Sequence, residues 1–237
     1  MRELTIVDRS GLWVVMPVKD LPDAKQRLAG ILCAKERQAL FRAILQDVLG
    51  ALAASTGLAG ILLVTRDPEA RHLARRFGAR VLLEEANRGH TAASSLGART
   101  LAQEGVAGML QLPADIPLVT PEDIAALLRA HGEAPAVTLS PSRDERGTNA
   151  LVCSPPDVLP LHFGDDSFFA HLRRAQALGI EPEIVRRPGL ALDVDTPDDL
   201  AAFLATPSPT HAYAYLAGTS IAARLETRVA SPRWEAE

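Results

Sequence analysis

Cysteine and aromatic residues are scarce in this chain: two cysteines, Cys33 and Cys153, and 4% aromatic residues among 237. No CxxC pair and no matching histidine cluster occurs. That excludes a disulfide framework and a structural zinc site, and leaves both thiols as small apolar fillers in a reducing compartment. No apolar run approaches the roughly 20 residues that span a bilayer, and the first residues, MRELTIVDRSG, carry acids where a secretory signal carries an apolar core. A soluble, cytoplasmic protein is expected. Excess positive charge is also missing: the formal net charge is -4 and the pI is about 5.9. Neither nucleic acid nor membrane is therefore an expected partner, although a local basic loop remains able to bind phosphate. The GxxxxGK[ST] phosphate loop is lacking. No Ser/His/Asp or Cys/His arrangement is signalled, which argues against a covalent enzyme intermediate. His72, His131 and His171 fall in helical patterns and read as surface or boundary residues.

What is present is an alternation. The β-rich runs LWVVMPV, GILLVT, ARVLLEE and GMLQLPADIPLV are interleaved with helical patterns over AKERQALFRAILQDVLGALAAS, PEARHLARRFG and TAASSLGARTLAQEG. Leu40, Ile44, Val48 and Leu52 form one apolar stripe on the first of these. Such alternation predicts βαβ units, and near-continuous apolar strands imply a sheet covered on both faces. Thr120 then caps a helix with Pro121 at its first position and acids in its first turn. Strands AVTLSPS and NALVCSP, a helix capped by Ser167, strands EIVRR and LALDVD, and a closing helix opened by Thr196-Pro197 complete the reading. The fold class is a three-layer α/β/α architecture with a mixed, mostly parallel central sheet, in one domain over 1–205. The tail, 206–237, starts Pro/Ser/Thr-rich like a linker, allows a short helix in AYAYLAGTSIAARL, and ends charged around Trp234.

Four constellations carry chemistry. In the first, Asp193 and Asp195 alternate with Val194 at the end of an apolar run, so both carboxylates share one face. Asp115 follows a similar run, and strand carboxyl ends meet in open α/β sheets. Three carboxylates brought together suit Mg2+, because a cation relieves their mutual repulsion; each alone also suits a helix start, where it stabilises free amides. In the second, Pro17, Lys19, Lys25 and Arg27 belong to a loop directly after the first strand, an anion site for which triphosphate is an obvious guest. In the third, Gly89, His90 and Thr91 open a small-residue helix with Ser94 and Ser95, where a base edge or ribose fits as well as ordinary packing does. In the fourth, Thr148 and Asn149 end one loop, while Gly164, Asp165, Asp166 and Ser167 form another ahead of a helix; the pair suits a small phosphorylated acid, or Ser167 serves as a cap alone.

Taken in order, PVKDLPDAKQRLAG, LPADIPLVTPEDIAALL, GTNAL, FGDDSFFAHLRRAQALG and GLALDVDTPDDLAAFL resemble the guanylyltransferases that activate 2-phospho-L-lactate, or a related phospho-acid, in biosynthesis of the deazaflavin coenzyme F-420 (the CofC/FbiD family). The resemblance covers about residues 12 to 205. It implies a GT-A-like, Rossmann-like nucleotidyltransferase fold, GTP as co-substrate, Mg2+ as cofactor and pyrophosphate as by-product. It also implies that Lys19 and Lys25 contact GTP phosphates, that Asp115, Asp193 and Asp195 organise Mg2+, and that Thr148, Gly164 and Ser167 hold the carboxylate end of the acceptor. Where relatives commonly show Gly-Leu-Asn, this chain has Gly89-His90-Thr91, a departure at the expected base-binding segment. The acceptor is 2-phospho-L-lactate, phosphoenolpyruvate or 3-phospho-D-glycerate, and a homodimer is the expected assembly. Competing readings are a nucleotidyltransferase of the molybdenum-cofactor or sugar-phosphate type and a non-catalytic nucleotide-binding module.

Overall fold

The computed structural model describes residues 8–229; most of the first stretch, read as lacking a secretory signal, and the charged end around Trp234 lie outside them. Its sheet has strand order β3-β2-β1-β4-β6-β5-β7, from β1 (Leu12–Pro17), β2 (Leu58–Thr65), β3 (Arg80–Leu83), β4 (Gly108–Gln111), β5 (Ala136–Pro141), β6 (Thr148–Ser154) and β7 (Glu183–Ile184). β6 runs antiparallel to both β4 and β5, and the other pairings are parallel. This is the mixed, mostly parallel sheet expected from the alternating pattern.

Alternation within β1 separates the two faces. Trp13 and Val15 enter one core, while Val14 and Met16 enter the other. Helices α1 (Ala34–Ala54), α2 (Pro68–Arg76), α4 (Pro121–Ala130) and α7 (Pro197–Leu204) contribute to the Val14 core; α3 (His90–Gln103) and α5 (Ser167–Ala177) contribute to the Trp13 core. The stripe Leu40, Ile44, Val48 and Leu52 is buried on α1 as its spacing requires, each side chain supplying roughly 1.5–3 kcal/mol of burial. A Cβ at Gly97 would lie 2.5 Å from Val15 Cγ1. Glycine therefore lets α3 sit close on β1, which sets the height of its first residues, His90 and Thr91.

Thr120 and Thr196 cap their helices as read, each in a capping box with Asp123 or Asp199. Other local expectations are corrected. LALDVD is not a strand: Pro188 starts the short helix α6 (Pro188–Ala191), whose Leu190 is buried, and residues 192–195 run extended outside the sheet. One bond, from Val194 N–H to the Asp115 carbonyl at 3.0 Å, ties them to the segment after β4. β4 stops at Gln111, and the run continuing it is a loop whose Pro113 and Pro117 cannot donate to a ladder. EIVRR contributes only Glu183 and Ile184 to the sheet, because Arg187 turns to Asp123 at 2.8 Å. Ser167 does not cap α5: Asp166 is the N-cap residue, in a left-handed conformation, and Ser167 Oγ accepts from Thr148 N–H at 2.9 Å. Cys33 is exposed at the start of α1 rather than filling a core, whereas Cys153 is buried.

Residues 206–210 lead into α8 (His211–Ala217), followed by α9 (Ile221–Val229). Ala212, Leu216 and Ile221 are fully buried in the Val14 core. Asp47 on α1 accepts the backbone N–H groups of His211 and Ala212 at 2.8 and 2.9 Å, satisfying free amides at the start of α8. Among the described residues, no helix is long and apolar enough to cross a membrane.

Candidate active site

The loop after β1 is pinned from below. Val18 N–H donates to the Val64 carbonyl, and Leu21 N–H donates at 2.9 Å to Asp67, which also caps α2. Leu21, Ala24 and Leu28 point into the core. Lys19 and Arg27 stay exposed, but Lys25 turns inward: its backbone is left-handed (φ 56°) and its side chain is 2% exposed. Lys25 Nζ lies 2.8 Å from Asp115 Oδ2 and 2.9 Å from Asp195 Oδ1, and 5.6 Å from the Phe41 ring centre. Burial alone would depress the Lys25 ammonium, yet the two carboxylates outweigh it and hold its pKa above the ordinary lysine value.

The three aspartates divide accordingly. Burial pushes Asp195 up, but Lys25, with Arg27 and Lys19, more than offsets this and holds the carboxyl below its usual range. Asp193 has no cation at salt-bridge distance among the described residues; burial, then the charge of Asp115, pushes it up to about 6 despite a hydrogen bond from Asn149. Asn149 anchors this strand-like segment, donating to the carbonyls of Leu190 and Ala191 and to Asp193 Oδ1 at 2.9, 3.2 and 3.2 Å.

On the opposite wall, Gly89 (φ 89°) precedes α3. His90 Nε2 lies 2.9 Å from Gln111 Nε2, and burial lowers its pKa to about 4, so the ring is neutral at pH 7. Its ring meets Phe163 edge-on at 4.6 Å. Thr91 Oγ1 accepts from Phe163 N–H at 2.9 Å and lies 3.2 Å from its carbonyl, stapling α3 to the loop that carries Gly164. Thr148 begins β6; Thr148 Oγ1 lies 2.9 Å from His171 Nδ1.

These residues converge. One cavity of about 490 Å³ is lined by Arg27, Gly89, His90, Thr91, Asp115, Thr148, Gly164, Ser167, Asp193 and Asp195. An adjoining cleft of about 360 Å³ adds Pro17, Lys19 and Lys25, and shares Arg27, His90, Asp115 and Asp195. Every residue singled out in the four constellations for a binding or catalytic role thus borders one of two contiguous spaces, except Ser94, Ser95 and Asp166. Three further participants were not identified from sequence: Gln111, Phe163 and His171. His171, read as a boundary residue, is fully buried. Its spacing from Phe168 and Ala175, i+3 and i-4 on the buried face of α5, is the signal that finds it.

Among the described residues, no group of three or more His, Cys, Asp or Glu side chains is arranged to hold a metal, and Lys25 compensates Asp115 and Asp195. The donor set nevertheless suits a hard divalent cation: three carboxylates border one cavity, and Asp193, without its own cation, carries a raised pKa.

Residues 12–233 match the family model described as guanylyl transferase CofC like. The chain is 42% identical over 80% of its length to the phosphoenolpyruvate guanylyltransferase of Rubrobacter xylanophilus, covering 92% of that protein. It is 35% identical over 83% of its length to the 3-phospho-D-glycerate guanylyltransferase of Colwellia psychrerythraea, covering 91% of it. A solved nucleotidyl transferase from Methanothermobacter thermautotrophicus shares the fold at 16% identity (TM-score 0.61; 88% of this chain, 99% of that one). By the breadth of the family match and these identities, this chain belongs to the CofC-like guanylyl transferase family.

Proposed function

We propose that this protein transfers GMP from GTP to the phosphate of phosphoenolpyruvate, releasing pyrophosphate, as a step in F-420 coenzyme biosynthesis. The observation that carries the reading is one cavity with two unlike linings: carboxylates and cations on one side, and the hydroxyls of Thr148 and Ser167 on the other. Phosphoenolpyruvate is favoured as acceptor because the relative bearing that name is 42% identical, against 35% for the one named for 3-phospho-D-glycerate.

The acceptor's phosphate oxygen is already ionised at neutral pH, so no general base is required. It attacks the α-phosphorus of GTP, the bond from that phosphorus to the bridging oxygen breaks, and pyrophosphate leaves with the electron pair. The chain's task is alignment and charge neutralisation. Lys19 and Arg27 receive the β- and γ-phosphates, while Lys25, held between Asp115 and Asp195, supplies positive charge beside the α-phosphate. Pro17 shapes the loop that carries them. Asp115, Asp193 and Asp195 would hold Mg2+, which when bound would neutralise phosphate charge and the charge of Asp193, the carboxylate that has no cation of its own. Gly89, His90 and Thr91 face the nucleoside, and Thr148, Gly164 and Ser167 face the acceptor's carboxylate.

Pyrophosphate release measured with Mg2+ across four nucleoside triphosphates and three phospho-acids tests this. Release requiring GTP and phosphoenolpyruvate is expected. Preference for 3-phospho-D-glycerate or 2-phospho-L-lactate would reassign the acceptor, and no release from nucleotide-binding protein would overturn the catalytic reading.

A further inference from the structure

Behind the acceptor-facing hydroxyls lies a buried imidazole with two different partners. His171 Nε2 is 2.9 Å from the backbone nitrogen of His162, and Nδ1 is 2.9 Å from Thr148 Oγ1. A backbone N–H can only donate, so Nε2 presents its lone pair, and in a neutral ring the proton then resides on Nδ1. The ring is neutral: burial, with nearby positive groups, lowers its pKa to about 3. His171 Nδ1–H therefore donates to Thr148 Oγ1. That leaves the threonine's own proton free of this contact.

Ser167 follows the same logic. Its Oγ accepts from Thr148 N–H at 2.9 Å, so its hydroxyl proton is also available elsewhere. Both residues line the cavity, and both hydroxyls have a lone pair engaged by a donor of the protein. Phe163 packs edge-on against the His171 ring at 4.9 Å, fixing its plane.

We infer that His171 is a positioning residue: the His162 backbone amide locks its tautomer, and the tautomer commits the Thr148 hydroxyl to donate to an anionic oxygen of the acceptor. This rests on the proposed contact between Thr148 and the phospho-acid. The network itself contains no charged side chain, and it offers an acceptor carboxylate hydroxyl protons beside the arginines, Arg27 and Arg88, that line the same cavity.

Two substitutions separate the halves of the network. His171→Asn places an amide nitrogen near the Nδ1 position and keeps a donor for Thr148. His171→Gln reaches the Nε2 position, keeps an acceptor for His162 and leaves Thr148 without its donor. The expected result for His171→Gln is an acceptor KM raised about tenfold, the effect of losing one oriented hydrogen bond, with GTP KM and kcat within about threefold of wild type. His171→Asn stays within about threefold throughout. An unchanged acceptor KM in His171→Gln, or equal impairment of both variants, overturns the inference.

Thr148→Val distinguishes failure of the underlying reading. If its acceptor KM is unchanged, Thr148 does not touch the acceptor; if it rises while that of His171→Gln does not, only the positioning role fails. In the double variant, His171→Gln adds no further loss. Should His171→Gln not fold, ¹⁵N shifts of the histidines in wild-type protein read the tautomer directly: a protonated Nδ1 and bare Nε2 at His171 are expected, and the reverse assignment overturns the inference.

Discussion

On the β1 side of the cleft the side chains are charged: Lys19 and Arg27 are exposed, and Lys25 is buried between Asp115 and Asp195. On the β6 side, Thr148 and Ser167 are neutral, almost fully buried, and oriented by His171 and by each other. The charged half compensates itself before any ligand arrives, so its electrostatics respond to protons and cations. The hydroxyl half carries no charge while His171, its pKa lowered to about 3, stays neutral, so its hydrogen bonds respond little to salt or to pH near neutrality. The same contrast appears in the backbone, irregular loops on one side and the start of a central strand on the other.

The sharpest way to break this contrast is Lys25→Met. Three carboxylates then share the site without the ammonium, and we expect a stability loss of about 3–5 kcal/mol at pH 7.5 and a hundred- to thousandfold loss of pyrophosphate release, roughly. Denaturant unfolding at pH 7.5 and 4.5 checks the cause, because protonating the carboxylates should shrink the loss.

Asp193→Asn sharpens the contrast from the opposite direction. The folded carboxyl titrates at about 6, against about 3.9 for an unfolded aspartate. The folded state holds this proton more tightly, so the stability it contributes is present below about pH 4 and is lost as pH rises to 6. The variant should be more stable than wild type by roughly 1–3 kcal/mol at pH 7.5, with the two meeting near pH 4, while turnover falls at least about hundredfold. Thermal unfolding across pH, with and without Mg2+, measures it; an undiminished turnover would remove Asp193 from the site.

Thr91→Val removes the staple between α3 and the Phe163 loop. It should cost about 1–2 kcal/mol and raise KM for both substrates, about three- to tenfold; a change in only one would show the halves to be mechanically independent. The smallest effect is expected from Thr120→Ala, away from either half: about 1 kcal/mol of lost capping with unchanged kinetics, which sets the scale for a purely structural perturbation.

Local signals carried much of this. Apolar runs marked β1, β2, β3, β5 and β6 closely and the start of β4, and Thr-Pro-acid-Asp marked two capped helices, because strand burial and capping are settled within a few residues. What escaped depends on distant partners. Nothing in PVKDLPDAKQRLAG distinguishes Lys25, drawn inside by Asp115 and Asp195, from Arg27, left outside at 73% side-chain exposure. The alternation Asp193-Val194-Asp195 correctly separated a buried valine from two carboxylates that line the cavity, yet the segment is held by Val194 N–H on the Asp115 carbonyl and by Asn149 rather than by the sheet. Ser167 was legible as a residue of the loop that borders the cavity but not as the acceptor of Thr148 N–H, since β6 and α5 meet only in the folded chain.

The docking of α8 and α9 on the Val14 core has a consequence for biosynthesis. α1 leaves the ribosome well before Leu216, Ile221 and Leu225, which belong to the core that its stripe enters. A nascent chain that has reached residue 205 therefore still displays apolar surface on α1. The preceding strands can pair during translation, but this face stays open to chaperones or to self-association until α8 and α9 arrive.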